Sequence, residues 1–284
     1  MSRRKSIYLD YAAATPVAPE VMAYMKPYFS EKFGNSGSLH SFGQEVQAAL
    51  DRARTTIADE INADFDEIIF TSSASEANDL IIDGIFEGSG VEKPKIIISD
   101  LEHESVTQSV EVLMEKGIEV MKLPVSKEGF VDPEELRKVL DERTILVSII
   151  FASNEIGTIQ PIEEIGEIIK SFKQEHNLMY PVFHTDAVQA ISSIKINIQT
   201  CGIDAMTLSS QKIYGPKGAG ALYINKSFLP HLKPQLMGGS HEFGLRASTP
   251  NTPAIAGFGK AMELLVEERS KKSSPQGSIC IGKK

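Results

Sequence analysis

The strongest constraint on the fold is a regular alternation of short apolar runs with helical periods. Runs of strand length at 67–71, 95–99, 118–123 and 144–151 are each followed by apolar residues at helical spacing, over 75–86, 103–116, 132–140 and 162–176. A helix can bury its apolar stripe only against a neighbouring layer, and parallel strands need a long crossover to pair. The pattern predicts an α/β fold: a mainly parallel sheet with right-handed crossovers. Further strand-like runs lie at 180–184, 204–208 and 221–224. Residues 41–61 read as a long amphipathic helix that links an N-terminal arm to the sheet, with Glu45, Asp51, Arg52 and Arg54 as its solvated face. Residues 252–268 read as a closing helix. No internal repeat is found.

Composition narrows the function classes without selecting one. With 284 residues, 42% of them hydrophobic, the chain can bury a large core. A net charge of −9 gives a nucleic-acid role no electrostatic support. The basic start Met1–Ser6 is followed by Ile7-Tyr8-Leu9-Asp10-Tyr11 and not by a long apolar core, so neither a signal peptide nor a membrane span is expected and the cytoplasm is. The two cysteines, Cys201 and Cys280, make no disulfide framework, and no metal site is expected.

Chemistry concentrates around Lys212. The apolar run ending at Leu208 leads into Ser209-Ser210-Gln211-Lys212-Ile213-Tyr214-Gly215-Pro216-Lys217-Gly218, which sets a lysine on a tight connection before the next strand. A lysine in that position can form a Schiff base with a carbonyl. A phosphate-cradling Gly-Lys-Ser/Thr loop is excluded, because Lys217 is followed by Gly218. A solvated lysine beside a turn remains the plain alternative. Upstream, Asp186 ends the apolar run that begins near Tyr180, and ligand groups collect at the carboxyl ends of strands in open α/β sheets. Ser72-Ser73-Ala74-Ser75-Glu76 follows one strand and opens a helix, where free N–H groups suit either a phosphate or an ordinary cap. His103 likewise opens a helix after a strand.

Together these segments resemble the class V aminotransferase branch of pyridoxal-phosphate enzymes, and most of all the cysteine desulfurases. The supporting motifs run in family order over residues 8 to about 262: Tyr8–Pro16, Gly34–His40, Thr71–Asn78, Glu102–Val106, Ser153–Pro161, Asp186–Gln189, the Lys212 loop and Gly238–Arg246. The resemblance implies a fold-type-I large domain with a seven-stranded, mainly parallel sheet flanked by helices. It divides the chain into an arm at 1–15, a pyridoxal-phosphate-binding large domain at 16–268 and a polar tail at 269–284. It makes Lys212 and His103 catalytic, His103 also stacking on the ring. Phosphate binding falls to Ala74, Ser75, Ser209 and Gln211, the ring nitrogen's partner to Asp186, and the phenolic oxygen's partners to Asn154 and Gln189. Thr249 would reach the cofactor of a neighbouring subunit in a homodimer, and Asn35 and Arg246 are implied in substrate binding. The implied activity removes sulfur from L-cysteine, leaving alanine and a protein persulfide for a sulfur acceptor or scaffold in iron-sulfur cluster or thio-cofactor assembly.

The sequence departs from that family in places. Ser75 stands where threonine is usual, Gln211 where histidine is commoner and Phe243 where a second arginine is common. The family's smaller C-terminal domain, with its nucleophilic cysteine loop and a carboxylate-binding arginine, is not found, and neither Cys201 nor Cys280 is assigned as that nucleophile. Cys201 is read as a buried or turn cysteine. Selenocysteine lyase or another class V activity, and a truncated or partner-dependent protein that binds cofactor but transfers no sulfur, stay open beside the main reading.

Overall fold

A computed structural model describes residues 6–272. Seven strands form one sheet: β1 (Ile68–Thr71), β2 (Lys95–Ser99), β3 (Glu119–Leu123), β4 (Thr144–Ser148), β5 (Val182–Asp186), β6 (Ala205–Ser209) and β7 (Gly220–Ile224). Their spatial order is β1-β7-β6-β5-β4-β2-β3. The ladders from β6 to β3 are parallel, and β7 runs antiparallel to both of its neighbours. The expected mainly parallel seven-stranded sheet is what forms.

The helices are α1 (Pro19–Met25), α2 (Ser41–Ile61), α3 (Ala74–Gly88), α4 (Glu104–Glu115), α5 (Pro133–Val139), α6 (Ile162–Glu175), α7 (Ile198–Cys201) and α8 (Thr252–Lys272). Alternate strand residues point to opposite faces, which divides the core in two. Ile97, Val147, Phe183, Met206 and Tyr223 face the layer that holds Ile57 of α2, Ile165 of α6 and Phe258 of α8. Ile96, Ile98, Leu146, Ala205 and Leu222 face Ile81 and Ile85 of α3 and Val106 and Val110 of α4. Both faces of the central strands are therefore apolar, which is why they read as continuous hydrophobic runs.

Element boundaries differ from expectation in small, explicable ways. β4 stops at Ser148, although the N–H groups of Ile149 and Phe151 still donate to His184 O at 3.1 Å and Asp186 O at 2.9 Å as the chain bends away. β5 begins at Val182, after Pro181, which has no N–H to give a ladder. α8 continues past 268 to Lys272. Cys280 and the polar tail from 273 onward lie outside the described residues.

One reading of α2 is corrected. Glu45 does sit on the solvated face, paired with Lys32 at 2.9 Å. Arg54 does not: it is buried, donates to the carbonyl of Ile68 and pairs with buried Glu242 at 2.8 Å. The rings of Phe65, Phe70 and Phe243 surround its guanidinium at 5.4, 4.8 and 5.0 Å. Glu242 also accepts from Phe70 N at 2.7 Å, so the 238–250 loop is fastened to α2 by the ion pair and to β1 by this hydrogen bond.

Candidate active site

The carboxyl ends of β1, β2, β4, β5 and β6 open together onto one pocket of about 420 Å³. Lys212 closes the 3-10 turn that follows β6, and its side chain projects into this space. Its Nζ donates to Ala12 O and, at 2.7 Å, to Ala13 O. The arm that supplies those carbonyls is itself tied to the lysine loop. Thr15 Oγ1 donates to Gln211 O at 2.8 Å and accepts from Tyr214 N at 3.0 Å. Burial pulls the Lys212 amine below the usual lysine range against the opposing pull of Asp10 and Asp186, which makes its neutral, nucleophilic form more accessible.

Asp186 ends β5 and is buried at the pocket floor. Its Oδ1 accepts from Val188 N at 3.0 Å and its Oδ2 from Asn78 Nδ2 at 3.0 Å. Burial pushes its carboxyl up, and the Asn78 and Val188 hydrogen bonds with the nearby Lys212 amine only partly offset it. A cationic N–H placed against this group would favour its ionised form.

The wall is the N-terminus of α3. Ser73 Oγ caps the helix by accepting from Glu76 N at 3.1 Å, and Ala74 and Ser75, the first two helical residues, line the pocket. Their N–H groups have no intrahelical acceptor, as at any helix start. β7 approaches closely here. A Cβ on Gly220 would lie 2.5 Å from the carbonyl carbon of Ser73, so only glycine lets the reversed strand pass.

His103 caps α4. Its Nδ1 accepts from Ser105 N at 3.1 Å, which leaves the proton of a neutral ring on Nε2. Asn154, Ser209 and Gln211 complete the lining with Gln189, whose amide donates to Ala12 O at 3.0 Å. All residues expected at the cofactor thus border this pocket except Thr249.

The remaining expected residues lie elsewhere. Thr249 is exposed beside an adjoining cavity of about 270 Å³ that Thr71, Ser72, Glu242 and Arg246 also line. Arg246 is engaged by Glu76, Nε to Oε1 at 2.7 Å and Nη2 to Oε2 at 3.3 Å. Asn35 is exposed in the loop before α2, accepts from Gly37 N at 2.9 Å, and borders neither cavity. Cys201 ends α7, buried and away from the pocket. No metal-binding cluster occurs among the described residues.

Two site residues were missed by sequence reasoning. Asn78 is fully buried and bridges Asp186 to Ser105 Oγ at 2.8 Å, with its Oδ1 unpartnered. Its signal was its place one turn after Ala74, on the same helix face. Glu102 is buried directly before His103; its Oε1 accepts from Ser99 Oγ at 2.5 Å and Ile150 N at 2.7 Å, while Oε2 has no partner. Burial pushes its carboxyl up to about 8 despite those hydrogen bonds. A lone Glu-His dipeptide carries no sign of such burial.

Pyridoxal phosphate fits these residues. The pocket offers an amine of lowered basicity, a buried carboxylate and free helix N–H groups, one for each of an aldehyde, a ring nitrogen and a phosphate. Comparison with known proteins agrees. Residues 7–276 match the family described as Aminotransferase class-V. The cysteine desulfurase IscS of Dictyoglomus turgidum is 46% identical over 95% of this chain and 66% of its own length. Among solved structures, a NifS-like protein superposes with a TM-score of 0.88 at 38% identity, over 94% of this chain and 71% of that one. SspA in complex with cysteine gives 0.85 at 38% identity, over 91% and 72%. The chain spans about two thirds of the length of the curated relatives it matches.

Proposed function

Since the chain belongs to the class-V aminotransferase family, in its cysteine desulfurase branch, we propose that it takes sulfur from L-cysteine with pyridoxal 5′-phosphate as cofactor. The balance is L-cysteine plus a thiol giving alanine plus a persulfide. The carrying observation is that Lys212, Asp186 and the start of α3 face one pocket at the strand ends.

When bound, the cofactor supplies an aldehyde and an electron-withdrawing ring that acidifies the substrate's Cα–H. The protein's own groups do the rest. Asp186 would hold a proton on the ring nitrogen, with Asn78 fixing the angle of its carboxylate. Ala74 and Ser75 would receive the phosphate, together with Ser209 and Gln211, which line the same pocket. Lys212 Nζ, once drawn off the Ala12 and Ala13 carbonyls, would move the proton at the substrate Cα, and His103, with Nε2 free of the Ser105 contact, would stack on the ring and carry the proton for the sulfur. Asn154 and Gln189, which line the same pocket, would donate to the phenolic oxygen.

A second reading is favoured by one observation. Cys201 is the only cysteine among the described residues, and burial pushes its thiol up, away from the reactive thiolate. Cofactor binding without sulfur transfer fits that arrangement. Alanine production from L-cysteine with an added thiol acceptor decides between the two. The desulfurase reading expects turnover that Lys212→Ala abolishes together with near-visible absorbance and borohydride trapping, and that Cys201→Ser leaves intact. Absorbance without alanine supports the second reading.

A homodimer and a protein sulfur acceptor in iron-sulfur assembly belong to the same proposal. The dimer is supported by the exposure of Thr249 and by the exposed Phe29, Phe33, Leu39 and Phe42 around the loop that carries Asn35. No helix among the described residues is long and apolar enough to cross a membrane. The cytoplasm suits the free Cys201 thiol.

A further inference from the structure

The start of α3 has a conflict of charge built into it. Its N–H groups and dipole attract an anion, yet Glu76 places a carboxylate in the same first turn. Glu76 is firmly held there, because its Oε2 accepts from Ser72 N at 2.8 Å and from Ser72 Oγ. Burial alone would push the Glu76 carboxyl up, but hydrogen bonds from Arg246 and Ser72 outweigh it and hold the group below the usual carboxylate range. It is therefore charged at neutral pH, beside the N–H groups of Ala74 and Ser75 that a phosphate would use. Arg246 meets it side-on and half-buried, through two hydrogen bonds, from the loop that also carries Thr249.

We propose that Arg246 is a positioning residue that neutralises Glu76, so that the first turn of α3 can accept a phosphate-bearing ligand, and that it is not a ligand of the substrate's carboxylate. This inference rests on the proposed pyridoxal-phosphate function. Both nitrogens that face Glu76 are already committed, and the guanidinium opens toward the Thr249 cavity and not toward the pocket that holds Lys212. Removing the arginine leaves an uncompensated carboxylate to repel the phosphate; removing both partners restores a neutral helix start. A bridge that served only to hold the loop would respond oppositely, since losing either end would break it.

The test is titration of pyridoxal phosphate into the full chain, followed by near-visible absorbance and by competition with inorganic phosphate. Arg246→Gln is expected to weaken both ligands about tenfold, while Arg246→Lys, which keeps the charge, stays close to wild type. Glu76→Gln should bind at least as tightly as wild type, and the double variant should recover most of the loss. Thermal melts identify any variant that fails to fold, and the lysine and glutamate variants keep the test decisive if Arg246→Gln does. Glu76→Gln weakening binding as much as Arg246→Gln, or a double variant no better than Arg246→Gln, would overturn the inference and leave the functional reading standing. Failure of the wild type to take up pyridoxal phosphate would sink the functional reading itself.

Discussion

Asp186 and Glu102 show how burial sets the chemistry of single residues here. Asp186→Asn keeps a hydrogen-bonding group in place but cannot stabilise a protonated ring nitrogen. Exchange of the substrate α-proton is expected to slow by about tenfold or more, one pKa unit being about 1.4 kcal/mol, with cofactor uptake partly kept; an unchanged exchange rate would remove Asp186 from this role. Glu102 carries a prediction about stability. Its carboxyl lies near 8 in the fold against 4.5 when exposed, so between those values the unfolded chain binds fewer protons than the native one. Stability should therefore fall as pH rises from about 4.5 to 8, by up to a few kcal/mol, and level off above. Urea titrations of Glu102→Gln should lack that fall. At this scale the sequence was legible where a residue sits in a motif, as with Lys212, Asp186 and His103. It was silent where the partner is remote: nothing near Arg54 announces Glu242, 188 residues on.

Strands and helices were more legible than single contacts, because burial on both faces and one-sided amphipathicity write different periods into the chain. All seven strands and the long helix over 41–61 follow from those periods. What periodicity cannot give is direction. The reversal of β7 depends on a turn too short to hold a crossover, and the ion pair that locks the 238–250 loop onto α2 depends on two elements meeting. That lock is testable. Arg54→Met leaves Glu242 buried without its cation and should cost about 3–5 kcal/mol, while pairing it with Glu242→Gln should recover part of the loss. Chemical denaturation of the three variants measures the coupling, and additive losses would mean that the two side chains act independently.

Across the whole molecule, the site is an assembly of remote parts, and its membership was legible only because resemblance gathered motifs that spacing could not. The arm is the clearest case. Residues near 12–15 hold the lysine loop nearly 200 positions later, through Thr15 to Gln211 and Tyr214. Thr15→Val removes both bonds and should destabilise the fold by about 1–3 kcal/mol while raising the rate at which Lys212 captures pyridoxal phosphate; an unchanged capture rate would mean that the arm does not guard the amine. The short β6–β7 connection has one more consequence. Because the chain leaves the sheet at Ser209 and re-enters it at Gly220, the two ends of the lysine's tether pair with each other, and Gly220 is paired on its other side with Thr71 of β1. The backbone cannot recoil when Lys212 changes partners, so the exchange between arm and ligand is left to rotations of a four-carbon stem. Its search is thus one of torsion angles, with little chain entropy to lose, and amide hydrogen exchange across β6 and β7 should look the same before and after loading.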